Sequence, residues 1–209
     1  MSEQNPSLET LQDIKRIMER SSRFISLSGL SGIAAGICAL IGSWFAGDIL
    51  DRYYHQFNTT GYTDEAFHSL RMELMMVAMA VLLAAWVTAF YFTWRKAKHD
   101  QTPIWNSTSR RLVINMLIPL VTGGLFILTM LQYSDWKFVA PASLIFYGLA
   151  LINASKFTVT DIRYLGYCEI ALGLINTQWI GKGLYFWALG FGVLHIIYGV
   201  IMWAKYERK

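Results

Sequence analysis

Charge is scarce in this chain. Only 15% of its 209 residues are Asp, Glu, Lys or Arg, against about 25% in an ordinary soluble domain. That shortage excludes a normally solvated globular surface. Cysteine is rarer still, with two residues. Cys38 and Cys168 fall in different apolar runs and read as small core residues rather than a disulfide. The motifs of familiar chemistry are missing too. There is no P-loop, no Gly-x-Ser-x-Gly, no His-Glu-x-x-His and no Cys-x-x-Cys, so nothing points to those hydrolytic, zinc or redox reactions. No cluster has metal-ligand spacing, and His195 is the single histidine deep in an apolar run. Neither a metal nor a cofactor is expected, and catalysis is not the favoured reading.

What is abundant is apolar surface. Hydrophobic residues make up 55% of the chain and mean hydropathy is +0.37. They come in runs near the roughly 20 residues that cross a hydrocarbon core. Six stand out, near 24–46, 71–94, 111–133, 138–156, 162–179 and 184–204. The expected fold is all-α: an integral membrane bundle of six transmembrane helices over 24–204, with 205–209 as a cytoplasmic tail. A cleaved signal peptide is not expected, because the first run is too long for one and further spans come after it.

The net charge of +4 does not suggest nucleic acid, because the basic residues flank the apolar runs. With the N-terminus inside, 14 of the 18 Lys and Arg fall inside and four, Arg52, Arg71, Lys137 and Lys182, fall outside. The positive-inside bias therefore predicts both termini in the cytoplasm, and a bacterial inner membrane is the expected location. Trp44, Trp94, Trp105, Trp136, Trp179 and Trp203 lie near span ends, where an interfacial belt belongs. Over 1–23, Leu8, Leu11, Ile14 and Met18 recur at helical spacing beside Lys15, Arg16 and Arg20. This reads as an amphipathic helix lying on the inner membrane face. The stretch 47–70 reads as a solvated outer loop, with Thr63 or Asp64 capping the next helix.

Small residues mark the packing faces. Gly32 and Gly36 form a Gly-x-x-x-Gly in the first span, which suits close helix contact or a homodimer seam. An eight-residue frame, Gly-x-x-X-Ile-x-x-Gly, occurs at 29–36 (GLSGIAAG), 166–173 (GYCEIALG) and 192–199 (GVLHIIYG). Spans two to four lack it, so a three-plus-three inverted repeat is not expected. Position X is Gly32, Glu169 and His195 in turn. Residues 169 and 195 lie equally far from a turn near 182, about 20 Å below it at 1.5 Å per residue. Both then sit near the midplane at one depth. The flanking glycines, Gly166 and Gly173 on one helix and Gly192 and Gly199 on the other, are expected to let these two helices close up. A lone carboxylate in hydrocarbon costs about 3 kcal/mol or more, so Glu169 calls for His195 as a partner.

Further polar residues are candidates for the same interior: Asn115, Tyr147, Asn153, Asn176 and Tyr198. Two functions compete. The first is a small permease or channel-like protein with a polar, proton-linked Glu169–His195 site at the midplane. The alternative is a membrane-embedded subunit that binds a lipophilic ligand. It would signal without transport or catalysis, through the N-terminal helix or the basic loop 95–109 to a cytoplasmic partner. The lipid bilayer is the expected partner in either case. Convergence of all seven polar residues would favour the first.

Overall fold

The computed structural model describes residues 28–208. The expected amphipathic helix at 1–23 lies outside the described residues. Among the described residues every regular element is helical, with no strand. The helices are α1 (Gly29–Thr60), α2 (Asp64–His99), α3 (Ser107–Gln132), α4 (Val139–Ala154) and α5 (Ile162–Asn176). A short α6 (Gly183–Trp187), a π-helical stretch (Ala188–Leu194) and α7 (His195–Tyr206) continue without a break. Five helical segments are long and apolar enough to cross a membrane: α1, α2, α3, Trp136–Ala154 and Ile180–Tyr206. This is a multi-pass membrane protein. The sequence-predicted fifth span, 162–179, contains a helix of only 15 residues, about 22 Å long, and falls short of that criterion.

The stretch 47–70 is not a loop. α1 runs through it to Thr60 and α2 begins at Asp64. Its charges pair between and along helices: Arg52 lies 3.2 Å from Asp48 and 3.3 Å from Glu73. At 32 and 36 residues these helices are longer than the about 30 Å hydrocarbon core requires, so the surplus stands clear of it as a helical hairpin. The Thr63 hydroxyl accepts from the Ala66 N–H at 3.2 Å and caps α2, while Asp64 and Glu65 complement the dipole of its first turn. Asn106 and Ser109 form a reciprocal capping box on α3. The cysteines are free; Cys38 is half-buried and Cys168 is exposed on the bundle surface, so Cys168 is not a core residue.

Two helix pairs carry the bundle, and both are built from the glycine frame. Frame 29–36 on α1 meets frame 192–199 on α7, antiparallel. A Cβ at Gly36 would lie 2.7 Å from the Gly192 carbonyl and 2.7 Å from Ile196 Cγ1; one at Gly199 would lie 2.7 Å from the Gly29 carbonyl and 2.8 Å from Ile33 Cγ1. Frame 166–173 on α5 meets residues 141–148 on α4 in the same register. A Cβ at Gly173 would lie 2.9 Å from the Pro141 carbonyl and 2.6 Å from Ile145 Cγ1; one at Gly148 would lie 2.6 Å from the Gly166 carbonyl and 2.7 Å from Ile170 Cγ1. Residues 141–148 read PASLIFYG, a fourth frame with Pro141 in place of the first glycine. In every copy the last glycine receives the partner's first carbonyl and its isoleucine. Only a missing Cβ allows that approach.

The expectation that the frame glycines of 166–173 and 192–199 face one another is therefore corrected. They face α4 and α1 instead. The face of Gly32 and Gly36 is likewise occupied by α7 within the chain. α2 packs on the outside of α1, with Gly42 against Val81, and α3 packs on α4, with Gly123 against Phe146.

Charged clasps close one end of the bundle. Glu207, just past α7, accepts from the Gly29 N–H and from the Ser28 hydroxyl at 3.1 Å, and pairs with Lys96 of α2 at 3.3 Å. A carboxylate on the free amides of a helix N-terminus also opposes the positive end of the helix dipole. Asp161, before α5, accepts from Lys205 and from the Tyr206 hydroxyl at 3.0 Å.

The hydrogen bond from Lys205 holds the Asp161 carboxyl below the usual carboxylate range. A lowered folded-state value means that the clasp stabilises the fold above the ordinary range, and that this contribution is lost as pH falls through the lowered value. Asp161→Asn is expected to lower the thermal midpoint at neutral pH, with the gap to the parent closing as pH falls through the lowered value of the Asp161 carboxyl. A gap of unchanged size across that window would remove the ion pair as its cause.

Candidate functional site

The fourth position of each frame lies beside the packed strip of glycine and isoleucine; Gly32 still lies against α7, within 3.3 Å of Gly199 Cα for an added Cβ, whereas Leu144 and Glu169 reach Gly190 of the other pair. The fourth residues are Gly32 and His195 in one pair, Leu144 and Glu169 in the other. Where the pairs meet, Glu169 of α5, His195 of α7 and Tyr147 of α4 come together. Glu169 is fully buried and His195 is 6% exposed.

His195 is held at both nitrogens. Nδ1 lies 3.0 Å from the Gly190 carbonyl and Nε2 lies 2.7 Å from the Tyr147 hydroxyl. A carbonyl only accepts, so the hydrogen-bond network assigns the neutral ring's proton to Nδ1, and the Tyr147 O–H donates to Nε2. The Tyr147 ring also packs on His195 and Phe191, with centroids 5.3 Å and 5.1 Å apart. The π-helical stretch sets up the first bond, because its wider i to i+5 turn brings the Gly190 carbonyl over the base of His195. Gly190 is also the seat of Glu169: a Cβ there would lie 2.5 Å from Glu169 Oε2 and 2.5 Å from Leu144 Cδ2.

Glu169 has no such support. Its Oε1 lies 3.4 Å from His195 Nδ1, but that N–H is directed to Gly190, and neither carboxyl oxygen has a hydrogen-bond partner. The two side chains are neighbours without a hydrogen bond between them. An unsatisfied buried polar group costs about 1–3 kcal/mol.

The remaining predicted site residues divide. Tyr198 lies one turn beyond His195, and its buried hydroxyl has no partner. Asn176 is fully buried on the face of Glu169, but its amide donates to the Trp179 carbonyl at 3.1 Å and closes the turn after α5. Asn115 donates to the Arg111 carbonyl of its own helix at 2.8 Å. Asn153 accepts from Lys156 at 3.3 Å. These three asparagines do not join the cluster.

Next to the cluster is a cavity of about 180 Å³, whose walls include Ala89 of α2, Leu112 and Met116 of α3, and Tyr147, His195 and Tyr198. The rest of its lining is small or apolar except for Ser28, Ser31 and Thr158. α2 packs on α1 and α3 packs on α4, but α2 and α3 share no packed seam. The cavity is thus bordered by both α2 and α3, helices that expose many apolar residues. Gly190, the π-helical stretch, Leu112 and Met116 do not stand out in the sequence; only the glycines of the ALGFGVL stretch hint at them. No metal-ligand cluster occurs among the described residues. No protein family, curated protein or solved structure matches the chain.

Proposed function

We propose that this protein is a membrane-embedded binding protein for a small lipophilic molecule. The observation that carries this reading is the cavity. It is apolar over most of its wall, has a Tyr147–His195–Tyr198 polar end, and is bordered by α2 and α3, which expose many apolar residues. An apolar cavity of about 150 Å³ is enough to hold a single aromatic ring. A space of about 180 Å³ suits one ring or a short branched chain bearing one hydroxyl or carbonyl. A permease would need polar groups continuing to both faces; Asn115 and Asn153 bond within their own segments, and Asn176 closes the turn after α5 with its amide while its buried Oδ1 stays without a partner and does not line the cavity. That division favours binding over transport.

The wall offers a route for a signal. Ser28 and Gly29 line the cavity and also bond to Glu207, which pairs with Lys96 at the start of the basic stretch 95–109. Occupancy would be read at the start of α1 and passed to a partner on that face. The start of α1 and the end of α7 meet at one side of the bundle, which supports an even number of crossings. Six spans, with α5 as the short one, and both termini on the basic, cytoplasmic side agree with that parity.

The test is photo-crosslinking in lipid nanodiscs with a diazirine-bearing fatty alcohol, mapped by mass spectrometry. Adducts are expected to concentrate at Ser31, Leu112 and Met116 and to fall in Ala35→Phe, which fills the cavity. Adducts spread evenly over the lipid-facing sides of α2 and α3 would sink the binding reading.

A further inference from the structure

We infer that Glu169 is a proton-binding site that exchanges with the cavity through His195 and Tyr147. Two observations carry this. The first is the isolation of the carboxyl group. It is fully buried, neither oxygen has a donor, and His195 is its sole ion-pair neighbour among the described residues. A carboxylate there would be fully buried and would accept no hydrogen bond, a costly state in a membrane interior. A carboxyl group that carries its own hydrogen avoids that state. The groups around it agree: Tyr147 of α4 and His195 of α7 are its titratable neighbours, Leu144 and Gly190 are apolar, and the charged clasps, Asp161 with Lys205 and Glu207 with Lys96, lie at the helix ends.

The second observation is the path. Tyr147 lines the cavity and donates to Nε2 at 2.7 Å, and Nδ1 on the far side of the same ring lies 3.4 Å from Glu169 Oε1. A proton arriving from water in the cavity bonds to the Tyr147 oxygen while that phenol's hydrogen passes to Nε2. The Nδ1 hydrogen passes in turn to Oε1. Tyr147 ends with one O–H bond, and the imidazole ends neutral in its other tautomer. The carboxylate becomes a carboxylic acid, and nothing is oxidised or reduced. The Gly190 carbonyl, which holds the Nδ1 hydrogen in the resting arrangement, is the brake on that last transfer. Gly190 sits in the π-helical stretch, an element type often found at functional sites.

This inference deepens the binding reading, because it assigns a proton to the cavity's polar end, yet it does not require a lipophilic occupant. Photo-crosslinking can fail while the proton site stands, and the reverse holds equally. The experiment is infrared difference spectroscopy of the full chain in nanodiscs, in H2O and D2O across the pH range in which it stays folded. The expected result is a protonated-carboxyl C=O band at neutral pH that shifts in D2O and is missing from Glu169→Gln. If that variant does not fold, carboxyl-¹³C glutamate in the parent identifies the band. Tyr147→Phe is expected to keep the band but slow its deuterium exchange by about tenfold or more. Absence of a glutamic-acid band, or equal exchange in Tyr147→Phe and the parent, would overturn the inference.

Discussion

Gly148→Ala is expected to destabilise the bundle by about 1–3 kcal/mol, while Gly124→Ala costs nothing or stabilises it slightly. Both glycines sit inside helices, where alanine is intrinsically favoured by about 1 kcal/mol. Their surroundings differ. A Cβ at Gly148 would lie 2.6 Å from the Gly166 carbonyl and 3.0 Å from the Ile170 nitrogen, whereas nothing lies within 4 Å at Gly124. Backbone atoms cannot rotate aside as a side-chain end can, so α4 and α5 would have to part. Parting them also moves Tyr147 away from His195, because Tyr147 precedes Gly148. Chemical or thermal unfolding in detergent micelles reads both variants. Equal effects at the two positions would mean that the glycine frame does not hold this pair together.

The second large effect is a difference in sign. Glu169→Met is expected to raise stability, because it removes two oxygens without partners from a fully buried site, each group of that kind costing about 1–3 kcal/mol. His195→Phe is expected to lower it by about 2 kcal/mol or more, since it strands the Gly190 carbonyl and the Tyr147 hydroxyl together. Replacing a buried ionisable group by an apolar one of similar volume is often neutral or favourable; breaking a satisfied network is not. Unfolding midpoints in micelles decide the matter. A loss with Glu169→Met as large as that with His195→Phe would make the pair a structural staple. A gain leaves function as the reason for keeping a costly carboxyl at the centre of the bundle.

The physics of each residue explains what the sequence made legible. Hydropathy and the positions of Lys and Arg expose the helical, multi-pass character, since both report directly on lipid contact. Glu169 and His195 fall at equal depth because a short turn fixes the register of the two helices it joins. The partners of the frame glycines were not legible. Helical spacing identifies a face but not its cover, and here α1 and α4 intervene. The fourth frame is hidden in the sequence because Pro141 opens it. That position supplies only a carbonyl to Gly173, and proline keeps its carbonyl. The charges of 47–70 resemble a solvated loop, yet Asp48, Arg52 and Glu73 pair across and along helices, and local composition does not distinguish the two. The π-helical stretch has no periodic signature, and the cavity is a property of six helices meeting.

The α1–α7 pair also imposes an order on assembly. α4 and α5 are joined by a short connection, so their frames meet as soon as both are made. The Gly29 amide and Glu207, by contrast, lie 178 positions apart. While the chain is being synthesised, α1 enters the bilayer with its glycine strip open to lipid and its first amides uncapped. It stays so until α7 emerges and the longest loop in the molecule closes. One half of the bundle matures during synthesis and the other only afterwards. A ribosome stalled anywhere before α7 leaves a bare glycine groove in the membrane, open to whatever helix arrives first.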